Sequence, residues 1–285
     1  MEAFIRNFLL SIVVPAILAG GSYWMLSKQD RIPRAWTALL AGVEASIAVA
    51  IGYFLLSGRL PLWPRESIHW LIYVGVFAAV AAGLLAAFEK PSARVAIMVA
   101  TVTLVTFALV RPLWFSSWKP IQAIWLTGML LAAGTIIWAM LHLAMEELQR
   151  PWVMGAIIAV FACTCVAVAA SGSISLAQFG GIFTAVLAPL VAIAWTKPNS
   201  AVLGMAIPFS ALTLLALLTN AHFYAELGWI AALLIFLSPV VGWTLVRFGP
   251  DEGLMARGYM RLILIAVPAA SAVVYTILIS VRSDY

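Results

Sequence analysis

The 285 residues are 65% hydrophobic and only 9% charged, with a formal net charge of +5 and a mean hydropathy of +1.08. A water-soluble domain averages roughly 25% charged residues, so this chain has too few charges to cover its apolar surface, and the solvent its composition demands is lipid. Lysine and arginine are scattered through short connections, which excludes a nucleic-acid footprint, and the apolar runs are long and unbroken, which excludes a β-barrel.

Taken in chain order, runs of membrane length predict ten helical spans. The first is Phe4–Leu26. Arg6 ahead of an apolar stretch resembles a secretory signal, but the run continues through Tyr23-Trp24-Met25, so an uncleaved span is expected.

The second, Trp36–Leu56, carries Glu44, roughly 12 Å below its entry face at 1.5 Å per residue. A carboxyl at that depth is expensive and points into the bundle or a wet cavity. Gly42, Ala45, Ser46 and Ala48 around it are small, which allows a neighbouring helix to approach closely. Glu44 therefore has two open roles, a solute or proton site or a helix-locking hydrogen bond.

Ile68–Phe88 and Val95–Phe115 follow. Arg111, before Pro112 at the far end of the fourth span, is expected to snorkel to the headgroups. The fifth span, Ile121–Met145, holds His142, at a depth similar to Glu44 and hence a candidate partner for it. His142 and Glu146 are four apart and share a helical face. A relay of protons or an interfacial cluster would both fit them.

The sixth span, Trp152–Ala170, contains Cys163 and Cys165, which point to different faces and read as packing residues. Ser171-Gly172-Ser173 then separates it from the seventh, Ile174–Trp195. A continuous helix over both would be roughly 66 Å long, twice the bilayer core, so a tight hairpin is expected; a kink would reduce the count to nine. The stretch from Ser171 to Gly181 is the most polar uncharged segment. Its Ser171, Ser175 and Gln178 are candidates for a solute path, and close helix packing is the competing reading.

Ala201–Ala221, Trp229–Phe248 and Leu262–Val281 complete the set. Asn220, His222, Tyr224 and Glu226 cluster between the eighth and ninth spans without a zinc-site spacing and read as a solvated loop. Five prolines lie inside spans, at 15, 189, 208, 239 and 268, so the C-terminal half is expected to be the more distorted.

Ten of the twelve tryptophans sit at or near predicted span ends, as an interfacial belt requires. Trp138 and Trp243 are the exceptions. Connections after odd-numbered spans hold ten basic residues and the others hold six, which places both termini outside the cytoplasm. Leu9–Ala19 echoes Leu262–Ala272, yet that pairs the first span with the last, which is not the pairing of two five-span repeats.

The expected architecture is thus all-α: one transmembrane domain over residues 1–285, a multi-pass helix bundle without a soluble domain. Its expected location is a bacterial inner membrane. No catalytic constellation, metal site or cofactor motif is expected, and the lipid bilayer is the expected partner. In length and span number alone the chain resembles the drug/metabolite transporter superfamily, with no motif to carry the likeness. The favoured function is secondary transport of a small solute. The alternative is a non-catalytic subunit or scaffold packed against other membrane chains. A lipid-modifying enzyme using Glu146, Glu147 and Arg150 comes third.

Overall fold

A computed structural model of the chain describes residues 2–29, 31–61, 63–64, 66–147, 150–248 and 258–283. All regular structure among them is helical. The helices are α1 (Glu2–Leu26), α2 (Arg34–Ser57), α3 (Ser67–Ala87), α4 (Pro91–Ser116), α5 (Pro120–Glu147), α6 (Arg150–Ala170), α7 (Ile174–Leu187), α8 (Pro189–Thr196), α9 (Ala206–Tyr224), α10 (Trp229–Phe248) and α11 (Gly258–Ser283), with a 3₁₀ segment at Ala201–Met205. Together α7 and α8 make one span, and the 3₁₀ segment runs into α9 to make another. Among the described residues nine spans are long and apolar enough to cross a membrane, and α10 adds an apolar stretch from Trp229 to Thr244. The chain is an all-α polytopic helix bundle and an integral, multi-pass membrane protein.

The reversal between the sixth and seventh spans is a turn. Gly172 has φ +99°, a conformation that favours glycine, and Ser173 N donates back to Val168 O at 3.2 Å. The two arms pack closely: a Cβ on Gly180 of α7 would lie 2.6 Å from Cys165 Sγ of α6. Cys165 is therefore a packing residue against a glycine.

Two prolines interrupt spans. Pro189 has no N–H for a bond to the preceding turn, and α7 ends at Leu187. Pro208 likewise cannot bond to the carbonyl four residues back, at Gly204, and the residues just before α9 wind as 3₁₀. Pro15, Pro239 and Pro268 lie within continuous helices. The breaks thus fall in the seventh and eighth spans.

At the centre stands α9, with every residue from Ala206 to Ala221 buried. It packs against α3, α4, α5 and α7. A helix that is apolar all round suits such a position. Beside it, α2 and α3 form the closest seam. A Cβ on Gly42 would stand 2.5 Å from Ala79 Cα, and one on Gly75 would stand 2.7 Å from Ser46 Oγ. The small residues around Glu44 do bring a second helix in close, as expected of small-residue interfaces in lipid.

Contacts at the two ends sort the connections into two faces. On one, the Arg150 guanidinium donates to Pro198 O, Lys197 Nζ donates to Ser27 O at 2.8 Å, and Lys28 and Lys197 lie over the Trp24 ring. On the other, Ser67 Oγ and Tyr224 Oη both donate to Leu109 O, and Trp118 stacks edge-on against Phe223.

Candidate functional site

The first face opens into a cleft of about 570 Å³ between α3, α4, α5 and the 3₁₀–α9 span. Its origin lies in α4. The buried residues of α4 run from Thr101 to Val110, and none of its first ten residues, Pro91–Ala100, is buried. Its far half is held by α9, by the two hydroxyls on Leu109 O, and by the Trp114 Nε1 bond to Thr127 Oγ1 of α5 at 2.8 Å. The near half touches the core only through the partly buried Ile97 and Met98.

Within the cleft, α5 presents Trp138, His142 and Glu146, which recur every four residues and so share one face. Trp138 is buried. His142 Nε2 lies 3.2 Å from Glu146 Oε1, with the two side chains 42% and 55% exposed. Glu146, at the mouth, is eight residues and so about 12 Å from Trp138. Arg94 and Arg150 also stand at the mouth. Arg94 Nε donates to Phe88 O at 3.2 Å, and Arg150 donates to Pro198 O. Among the described residues no carboxylate forms an ion pair with either arginine. The walls are otherwise apolar, with Val95, Met98 and Ile207 lining the cleft alongside Trp138.

Of the residues proposed from sequence for a solute or proton path, only His142 lines this cleft, joined there by Glu146 and Arg150, which the sequence had placed in the enzyme reading. Glu44 lies elsewhere, and its partner is not His142. Ser22 Oγ of α1 donates to Glu44 Oε2 at 3.3 Å. Beside Ser22, Tyr23 is fully buried, its hydroxyl has no hydrogen-bond partner among the described residues, and Glu44 is within electrostatic reach of it. Similar depth does not make neighbours: α2 packs on α3 and the 3₁₀ segment, whereas α5 packs on α4, α9 and α10. One link joins the two places. Gly204, in the cleft wall, backs onto α2, where a Cβ added to it would sit 3.5 Å from Ala38 Cβ.

Ser171, Ser175 and Gln178 are at the opposite face. Ser171 Oγ bonds to Val168 O at 2.8 Å within the turn, Ser175 is exposed, and Gln178 is buried in α7. The structure brings none of them to the cleft or to Glu44. Asn220 and His222 are likewise engaged locally, with Ala216 O and Leu227 O at 2.9 Å each, and shape the end of α9. Arg111 is exposed, as snorkelling requires.

Sequence reasoning passed over Trp138 and Arg94 as site residues and gave Arg150 only to the enzyme reading, not to ligand binding. The signal for Trp138 was its absence from the interfacial belts, four residues before His142. The arginines carried none, because a basic residue that sets topology and one that binds a ligand look alike in sequence. No protein-family model, curated protein or solved structure matches the chain.

Proposed function

We propose that the protein is a carrier for a small solute, with the cleft between α3, α4, α5 and α9 as the solute's entry and binding place. The cleft itself carries this reading. Its volume lies within the range that encloses a small ligand, and apolar walls with a few convergent polar groups are the usual composition of such a site. It opens at the face richer in basic residues, the cytoplasmic one by the charge rule, and ends against the buried α9. A cleft open on one side and plugged on the other corresponds to one half of an alternating-access cycle.

In this reading α4 is the moving part. Its far half is anchored and its near half is not buried, so an inward bend where the two halves meet, near Ala100 and Thr101, would close the mouth. Glu44 is the coupling group. It sits about ten residues into α2, hence about 15 Å along the helix, beside the unpartnered Tyr23 hydroxyl, and α2 touches the cleft wall through Ala38.

Thiol accessibility tests the carrier without knowledge of its solute. Met98→Cys, in a Cys163→Ser, Cys165→Ala background, puts one thiol on the cleft wall. In vesicles of each orientation, a carrier exposes that thiol to a membrane-impermeant maleimide from both faces. Labelling from the basic face alone would mean a fixed cavity. The carrier would then give way to the subunit reading.

A further inference from the structure

We infer that the ligand of this cleft is a small single-chain organic anion, its charged head held at Arg94 and Arg150 and its apolar chain lying along Met98, Ile207 and Trp138. The proposal rests on the cleft reading above and adds a substrate class to it.

Charge sets the sign. Among the described residues the titratable groups lining the cleft are Arg94, Arg150, His142 and Glu146. Two guanidinium charges less one carboxylate leave +1, before any charge on His142. The only ion pair among the described residues is the one between His142 and Glu146. Each guanidinium uses a donor on a backbone carbonyl, Phe88 O or Pro198 O. That bond fixes its position and leaves further N–H groups and the whole charge available, in the planar geometry that suits a carboxylate or phosphate oxygen pair.

The placement of the polar groups sets the shape. Arg94, Arg150 and Glu146 stand at the mouth, near helix ends, His142 lies one turn further in, and the lining beyond it toward Trp138 is apolar. A ligand polar at both ends would bury its inner end unpaired, which is costly. A neutral hydrocarbon would leave the guanidinia uncompensated. One charged head on a chain reaching about 12 Å, the length of the α5 face from Glu146 to Trp138, satisfies both. The volume of about 570 Å³ admits one such chain, and the occupant proposed is a free amphiphile; a bilayer lipid in its place is an outcome of the test below.

The test uses the full chain in phosphatidylcholine nanodiscs and the fluorescent fatty acid 11-(dansylamino)undecanoic acid as probe. Saturable energy transfer from tryptophan to the dansyl group should appear, and decanoate should displace the probe. Decanol and decyltrimethylammonium should be at least about tenfold weaker competitors, the scale of a lost charged hydrogen bond. Arg94→Gln and Arg150→Gln should each weaken the probe by about tenfold. Lys28→Gln, on the same face but outside the cleft, should leave it unchanged.

Met98→Trp keeps both guanidinia and fills the cleft, so it should abolish saturable binding in a protein whose melting temperature shows it folded. Retained binding in Met98→Trp, equal competition by decanol, or unaltered binding in both arginine variants would overturn the proposal. So would displacement of the probe when phosphatidylglycerol replaces part of the phosphatidylcholine, since the arginines would then belong to lipid headgroups. The carrier reading fails separately. Saturable, arginine-dependent binding with one-faced labelling of Met98→Cys removes the carrier and keeps the ligand class, whereas two-faced labelling without probe binding does the reverse.

Discussion

The two flanks of α3 show opposite solutions to the same problem. Toward α2 it presents Gly75, Ala79 and Gly83, and α2 meets it so closely that a Cβ on Gly42 has nowhere to go. Toward α4 and α5 it presents Ala82, Leu85 and Ala86, and a cleft of about 570 Å³ stands open. In a bilayer, lipid tails are as apolar as leucine, so contact depends on how closely backbones can approach. Glycine and alanine close the α2–α3 seam, while Val95, Met98 and Trp138 hold the other side apart.

The most damaging way to break this contrast is to enlarge the seam. Gly42→Leu would drive a side chain into the Ala79 backbone, 2.5 Å from where its Cβ must sit. Since backbone cannot step aside as a flexible side chain can, overpacking of about 3 kcal/mol or more is expected. Thermal unfolding in mild detergent should show loss of the folded species. Gly42→Ala carries the same clash at Cβ alone and should destabilise by about 1–3 kcal/mol. A wild-type melting temperature for Gly42→Ala would mean that α2 and α3 are not in the close register described.

The same substitution at Gly128 should have the opposite sign. Nothing lies within 4 Å of a Cβ there, so Gly128→Ala removes a flexible residue from the interior of α5 without a clash. A gain of about 0.5–1 kcal/mol is expected, read as a small rise in melting temperature. Paired with Gly42→Ala, it separates helix propensity from close approach.

Glu44 lies beside the seam, and its substitution asks whether the seam does more than hold. Glu44→Gln retains an acceptor for the Ser22 hydroxyl, so folding and Met98→Cys labelling should be unaltered. If Glu44 couples a proton to solute movement, uptake into vesicles should lose its dependence on the pH gradient while binding at the cleft persists. Gradient-dependent uptake that survives in Glu44→Gln would leave the carboxyl with a packing role alone.

Spans were legible in the sequence because length and apolarity are what a bilayer selects, and the turn at Gly172 because a hairpin needs a residue that tolerates positive φ. Packing was far less so. The buried α9 and the largely exposed α5, with Ile121, Ile124 and Trp125 facing outward, are alike in composition, since lipid and protein interior are equally apolar. Helix faces that periodicity would reveal in a soluble protein therefore go unmarked. Rise per residue gave Glu44 and His142 similar depths, but lateral order depends on which helices touch, and that information sits in small-residue contacts spread over the chain. The small residues around Glu44 did carry it. Trp138 carried a trace, as an indole away from the headgroups.

The smallest expected effect concerns the pair at the cleft mouth. His142 and Glu146 are close, yet both are about half exposed, and an exposed pair at this helical spacing contributes only a few tenths of a kcal/mol. Glu146→Gln should therefore leave the melting temperature nearly unchanged. Its effect belongs to the charge balance of the cleft: removing the carboxylate that, among the described residues, lines it with Arg94 and Arg150 raises the net charge of guanidinia and carboxylate from +1 to +2. An anionic probe should then bind more tightly, and the gain should shrink as salt screens the mouth. A drop in melting temperature comparable to that of Gly42→Ala would show instead that the pair braces α5. The open flank of α3 would then be held apart by polar contacts and not by side-chain bulk.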